Sequence, residues 1–133
     1  MFLNFSFFKN TMGCCENDFN GALFATVGAK APDFEANAYF RGSFTQESLG
    51  KYLDSGKWVV LFFYPLDFTF VCPTEIKAFS AAAEKFEAEG AQILGVSVDS
   101  EHSHKAWVEG DLGEMNFPLL ADLKKEIADA YGV

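Results

Sequence analysis

The chain has 133 residues, with ten Lys and Arg against nineteen Asp and Glu, and half of its residues are apolar. That length fits one domain with a real core, and the sixteen Phe exclude disorder as the main state. A formal charge of -9 argues against nucleic acid and against an anionic membrane surface as partners, since both call for a cationic footprint.

Residues 1–25 read as an irregular N-terminal extension. The opening MFLNFSFFKN has no basic stretch followed by a clean apolar one, so it makes a poor signal peptide. One alternative is that translation starts at Met12, which would put residues 1–11 outside the fold. The MGCCEN that follows approaches a myristoylation signal, but Asn17 stands where Ser or Thr is required, so no lipid anchor is expected. No apolar run reaches the ~18 residues of a membrane-spanning helix.

From Gly28 the pattern tightens, and a first strand ends near Phe40. Arg41-Gly42-Ser43 is a turn, in which Gly42 supplies a positive φ. Gln46 to Leu53 reads as a short helix. Lys57 to Tyr64 is an unbroken β-branched and aromatic run, the signature of a strand buried on both faces. Thr74 to Glu89 is a helix whose Ile76, Phe79, Ala83 and Phe86 form one apolar stripe, and Gly90 stops it. Ala91 to Val98 is a second buried strand, so the two strands should be parallel with a right-handed crossover. Ser100 to Glu109 reads as a helix and Phe117 to Leu120 as a short strand. Asp122 then caps a last helix with a Leu123, Ile127 and Tyr131 stripe, ended by Gly132. The class is α/β.

The chemistry concentrates in the segment between strand and helix, Tyr64 to Glu75, because ligands in open α/β sheets gather beyond the carboxyl ends of the strands. Pro73 suits the first helical position, which puts Cys72 at or beside the helix start. Free N–H groups and the helix dipole stabilise an anion there, favouring a thiolate. Thr69 offers a hydroxyl nearby, and Pro65 can wall the pocket. From the residues alone, Cys72 is either this nucleophile or a small buried hydrophobe.

The string FFYPLDFTFVCPTEI, residues 62–76, resembles the active-site segment of typical 2-Cys peroxiredoxins, including the alkyl hydroperoxide reductase C (thiol-specific antioxidant) group. Its Pro-x-x-x-Thr-x-x-Cys core is Pro65, Thr69 and Cys72. Val27 to Phe34, Val96 to Ser100 with Trp107, and Phe117 to Asp122 resemble further family segments in order. The resemblance implies a thioredoxin-like fold over residues 26–133. It makes Cys72 the peroxidatic cysteine, attacking hydrogen peroxide or an organic hydroperoxide to give a sulfenic acid. Thr69 would hydrogen-bond thiolate and peroxide, Pro65 would shield the sulfenate, and N–H groups near Val71 and Cys72 would stabilise developing charge. Glu75 would join a polar network that orients an arginine. A thioredoxin-type or flavoprotein reductant and a homodimer or ring of dimers are implied, with no cofactor; the cysteine count itself points to a reducing, cytoplasmic setting, and the lack of clustered ligand pairs to no metal.

The sequence departs from that pattern. The family's catalytic arginine comes from a later strand, whereas the single arginine here is Arg41, and no resolving cysteine follows Cys72. The resemblance also implies two further strands and a helix after Val133, strands that would pair beside Lys57–Tyr64. The chain is therefore expected to be an N-terminal fragment whose central strand is left as an open apolar edge. The competing reading is a thioredoxin-fold fragment without turnover, inactive or chaperone-like. A thiol–disulfide oxidoreductase is disfavoured, since no Cys-x-x-Cys is present.

Cys14 and Cys15 carry no expected resolving or metal role. Three cysteines, two of them adjacent, do not make a disulfide framework. His102 and His104, two residues apart, would not share a helix face and are expected to be solvated. Gly110-Asp111-Leu112-Gly113 stands where sensitive peroxiredoxins carry Gly-Gly-Leu-Gly, which leaves overoxidation sensitivity open.

Overall fold

The apolar run Trp58–Phe63 forms the strand on which the sheet is built. The computed structural model describes residues 5–8, 25–69 and 72–133, with residues 5–8 and Cys72 described by backbone alone. In chain order the elements are β1 (Phe5–Phe8), β2 (Glu35–Phe40), β3 (Ser43–Ser48), α1 (Leu49–Asp54), β4 (Trp58–Phe63), α2 (Cys72–Ala88), β5 (Ala91–Ser97), α3 (Glu101–Trp107), β6 (Leu119–Ala121) and α4 (Glu126–Tyr131). A single π turn, Val108–Leu112, follows α3.

The strands form one six-stranded sheet in the order β1-β4-β5-β6-β2-β3. β4, β5 and β6 run parallel, with Phe62 beside Gly95 and Gly95 beside Leu119. β1, β2 and β3 each run antiparallel to their neighbours. The period-two alternation of β4 divides its side chains between two cores. Val60, Phe62 and Tyr64 pack with Ile76 and Ala83 of α2, Trp107, and Phe117 and Leu119. Val59 and Leu61 pack on the other face with Leu49 and Tyr52 of α1 and Ile127 and Tyr131 of α4. The result is three layers, helix over sheet over helix. It is the thioredoxin-like architecture implied by the segment around Cys72.

Four expectations are corrected. Residues 43–48, whose second half was expected to begin a helix, form strand β3, and α1 starts only at Leu49. The cause is the turn: Arg41 and Gly42 both have positive φ (47° and 79°), the two-residue geometry that matches the twist of a β-hairpin. Ser48 then begins the helix, its hydroxyl accepting from the Lys51 N–H at 3.3 Å.

The irregular segment expected before residue 26 contains a strand, β1, which lies antiparallel along β4 with Phe5 opposite Phe62 and Phe8 opposite Val59. The edge of β4 expected to be open is therefore paired over this stretch. Cys14, Cys15 and the remainder of the extension lie outside the described residues.

Leu123 does not join the stripe of the last helix but is 63% exposed. Lys125 turns left-handed (φ 60°) and delays the helix to Glu126. Asp122 therefore caps the helix from outside it, with its carboxylate accepting from the Ile127 and Ala128 N–H groups, five and six residues on, at 3.2 and 2.8 Å. The last correction, His104, belongs to the site.

Candidate functional site

β4 ends at Phe63 and α2 begins at Cys72, so the connecting loop sits at the carboxyl end of the parallel strands. The helix starts at Cys72 with Pro73 second, where a missing N–H leaves no intrahelical bond unmade. Seventeen residues of helix stand behind that backbone position, so the positive end of a full-length dipole lies there.

The loop folds with its polarity inverted. Leu66 and Phe68 are 47% and 56% exposed, while Asp67 between them is buried. Phe68 adopts a left-handed backbone (φ 57°), which reverses the chain tightly enough for this alternation. Asp67 is buried because its hydrogen bonds are filled. Tyr64 Oη donates to Oδ1 at 3.0 Å, and His104 Nδ1 lies 2.7 Å from Oδ2. The Asp67 N–H donates to Asp99 Oδ2 at 2.6 Å. Burial, then the charge of Asp67 and its hydrogen bond, push the Tyr64 hydroxyl well above its ordinary pKa, so it stays a donor.

His104, expected to be solvated, is instead fully buried on α3. Its Nε2–H donates to the Leu120 carbonyl at 3.1 Å. The two-residue spacing from His102 was uninformative. The useful signal is the three-residue spacing to Trp107, which puts both on the face of α3 that packs inward.

The expected site residues fall out as follows. Pro65 borders an open cavity of about 330 Å³ shared with Tyr64, Ser97, Asp122 and Lys125. The Thr69 hydroxyl donates to the Leu66 carbonyl at 3.2 Å, so its proton is committed within the loop and its lone pairs remain to accept. Glu75 is exposed in the first turn of α2. Val71 lies outside the described residues, and for Cys72 the backbone position is what is established. Arg41 is far from all of these. It stands in the β2–β3 turn beside the start of β5, bordering a cavity with Glu87 and Gln92, at the opposite end of the sheet.

A thioredoxin-like α/β domain with a cysteine opening the helix after its first central strand defines a class of thiol redox proteins. Within it, this chain belongs to the AhpC/TSA family, whose sequence model matches residues 27–133. Peroxiredoxin-2 of Pongo abelii is 54% identical over 114 residues, covering 82% of this chain and 63% of that protein. A chloroplastic 2-cysteine peroxiredoxin of Chattonella marina is 56% identical over 112 residues, covering 80% of this chain and 57% of the relative. The reduced 2-Cys peroxiredoxin of Plasmodium vivax superposes with a TM-score of 0.77 at 42% identity, covering 80% of this chain and 69% of that structure. Mycobacterium tuberculosis AhpC gives 0.75 at 40% identity, covering 83% and 68%. The chain thus spans about three-fifths of the length of the curated relatives it matches.

Proposed function

We propose that this chain is a thiol-dependent peroxidase domain whose nucleophile is Cys72. The observation that carries the reading is the position of Cys72 as the opening residue of α2, at the carboxyl end of β4, within a chain of the AhpC/TSA family. The Cys72 thiolate attacks one oxygen of a hydroperoxide, the S–O bond forms as the O–O bond breaks, and the departing alkoxide or hydroxide takes a proton. Cys72 is left as a sulfenic acid, and a thiol reductant returns it to the thiol with two electrons. Thr69 accepts a hydrogen bond from the incoming hydroperoxide while its own O–H keeps donating to the Leu66 carbonyl. Pro65, which borders the open cavity, is assigned the shielding of the sulfenate.

Stoichiometric hydrogen peroxide followed by a dimedone-type trap tests the proposal, with Cys72→Ser as control. The expected product is one dimedone adduct at Cys72, formed faster than on a free thiol. Labelling no faster than that of a free thiol refutes the reading.

A second reading, a domain that reacts once but does not turn over, has its own support. Arg41, the single arginine of the sequence, stands at the other end of the sheet from the start of α2. Steady-state peroxide consumption with a thioredoxin system separates the two. Single-turnover sulfenylation without multiple turnover selects the second.

A further inference from the structure

The loop that leads from β4 to the proposed nucleophile is held by a cluster of buried polar side chains that the peroxide chemistry does not itself use. Asp67 and His104 have no exposed side-chain surface, and their atoms Oδ2 and Nδ1 are 2.7 Å apart. Tyr64, also buried, donates to the other oxygen of Asp67 at 3.0 Å. His104 Nε2 faces the Leu120 carbonyl at 3.1 Å. A carbonyl only accepts, so Nε2 carries a proton. The Nδ1–Oδ2 contact holds a second one, shared between ring and carboxyl.

An apolar core would fill this volume without the cost of burying three polar side chains. Fully satisfied networks of this kind instead fix one geometry, because each partner accepts few alternatives. Here the geometry fixed is that of the loop. Asp67 is tied to β4 through Tyr64, to α3 through His104, to β6 through the Leu120 carbonyl that His104 engages, and to the end of β5 through Asp99. Thr69 follows two residues later and Cys72 five residues later.

We infer that Asp67, His104 and Tyr64 are positioning residues: together they clamp the loop between β4 and α2 and so set where Pro65 and Thr69 stand relative to the start of α2. The inference rests on the peroxidase reading of Cys72. Asp67 and His104 act through the loop and do not touch the peroxide.

The chemistry of the clamp singles out one conservative variant. In Asp67→Asn the amide oxygen still accepts from Tyr64, and the amide N–H donates to Nδ1 of a neutral His104 whose Nε2–H still meets Leu120. The bonds to Tyr64, His104 and Leu120 are kept, the shared proton is now supplied by the amide, and the second amide N–H is the one donor added. Asp67→Ala removes all the side-chain bonds of Asp67, and Tyr64→Phe keeps the ring but removes the hydroxyl that meets Asp67 Oδ1 at 3.0 Å and lies 3.5 Å from His104 Nδ1.

The experiment measures two quantities on each variant: amide hydrogen exchange over residues 67–69, and the rate of Cys72 oxidation by hydrogen peroxide. The expected result is faster exchange and a roughly tenfold or larger loss of oxidation rate in Asp67→Ala, since misplacement of about 1 Å costs that much or more. Tyr64→Phe moves both readings the same way by less, and Asp67→Asn restores most of both, short of wild type by the cost of its one added N–H. A merely structural role would move thermal stability without this rescue pattern.

The inference is overturned if Asp67→Ala matches wild type in both readings, or if Asp67→Asn fails as Asp67→Ala does. If Asp67→Ala does not fold, the comparison of Tyr64→Phe with Asp67→Asn decides. A wild-type Cys72 no more reactive than a free thiol defeats the peroxidase reading alone, and the exchange pattern still decides whether the clamp exists.

Discussion

Gly95 is a point of close approach in the sheet that carries the site, and replacing it with alanine measures how closely the strands are held. A Cβ there would stand 2.8 Å from Phe62 Cζ and 3.1 Å from Leu119 Cδ2. Phe62 has little room to yield. Its ring stacks on Phe79 at 5.4 Å and 18°, and meets Phe117 edge-on at 5.6 Å and 83°. Overpacking of this kind costs about 1–3 kcal/mol. Against it, alanine in a strand regains about 0.5–1 kcal/mol over glycine, since the unfolded chain has less freedom to lose. The overpacking term is the larger, so Gly95→Ala should destabilise by about 1–2 kcal/mol, measured from urea midpoints at constant slope. A melting temperature lower by roughly 3–8 °C accompanies it for a chain of this size. Phe62→Leu removes the ring atoms that clash, so Gly95→Ala should cost less in that background, with a coupling of at least about 0.5 kcal/mol. Unchanged or increased stability of Gly95→Ala, or strict additivity with Phe62→Leu, would refute the packing argument.

Two further outcomes follow from buried carboxylates. Glu47 is 3% exposed and accepts from Lys51 Nζ at 2.8 Å and Tyr52 Oη at 2.5 Å. Burial alone would raise its carboxyl, but the hydrogen bonds from Lys51 and Tyr52 outweigh it and hold the group below its ordinary pKa. A lowered folded-state pKa means stability that is present above the unfolded carboxylate's titration near pH 4.5 and lost as pH falls through the lower folded value. The stability of wild type relative to Glu47→Gln should therefore fall between about pH 5 and pH 3, and a difference that is flat with pH contradicts this. Asp122→Ala should cost about 1–2 kcal/mol by leaving the Ile127 and Ala128 N–H groups without their acceptor, with Asp122→Asn losing less; equal denaturation midpoints for Asp122→Ala and wild type would count against the cap.

What the sequence showed of this fold depended on how local the cause was. β4 and β5 were legible because continuous Val, Ile, Leu and Phe leave no other way to bury both faces. α2 was legible because one apolar stripe and Pro73 mark its face and its start. Asp122 was legible as an acceptor for the N–H groups of the last helix, but the left-handed Lys125 that sets it five and six residues before them was not. β3 was not, since its existence rests on Arg41 taking a left-handed backbone, a cost that no side-chain pattern announces. β1 was not, since four residues pair with a strand more than fifty positions away. The polarity of the site loop ran opposite to its composition. Leu66 and Phe68 look like core and Asp67 like surface, and the structure exchanges them because partners for Asp67 arrive from α3 and from beyond β5.

That exchange is part of a wider asymmetry. Among the described residues, six polar or charged side chains besides the tyrosines are buried: Glu47, Asp67, Ser80, Ser97, His104 and Asp122. Four of them, Asp67, Ser97, His104 and Asp122, gather at the carboxyl ends of β4, β5 and β6, where Asp122 N–H also donates to the Ser97 carbonyl at 2.8 Å. Each buried polar group costs free energy unless its partners are in place, so a sheet selected for stability alone would not concentrate them at one end. At that end the strands finish, the loop bearing Pro65 and Thr69 begins, and the open cavity lies. The other end, with Arg41 and the β2–β3 turn, carries no comparable buried set among the described residues. The concentration of satisfied polar groups therefore marks which end of the sheet is held to a fixed geometry, and it is the end at which Cys72 opens α2.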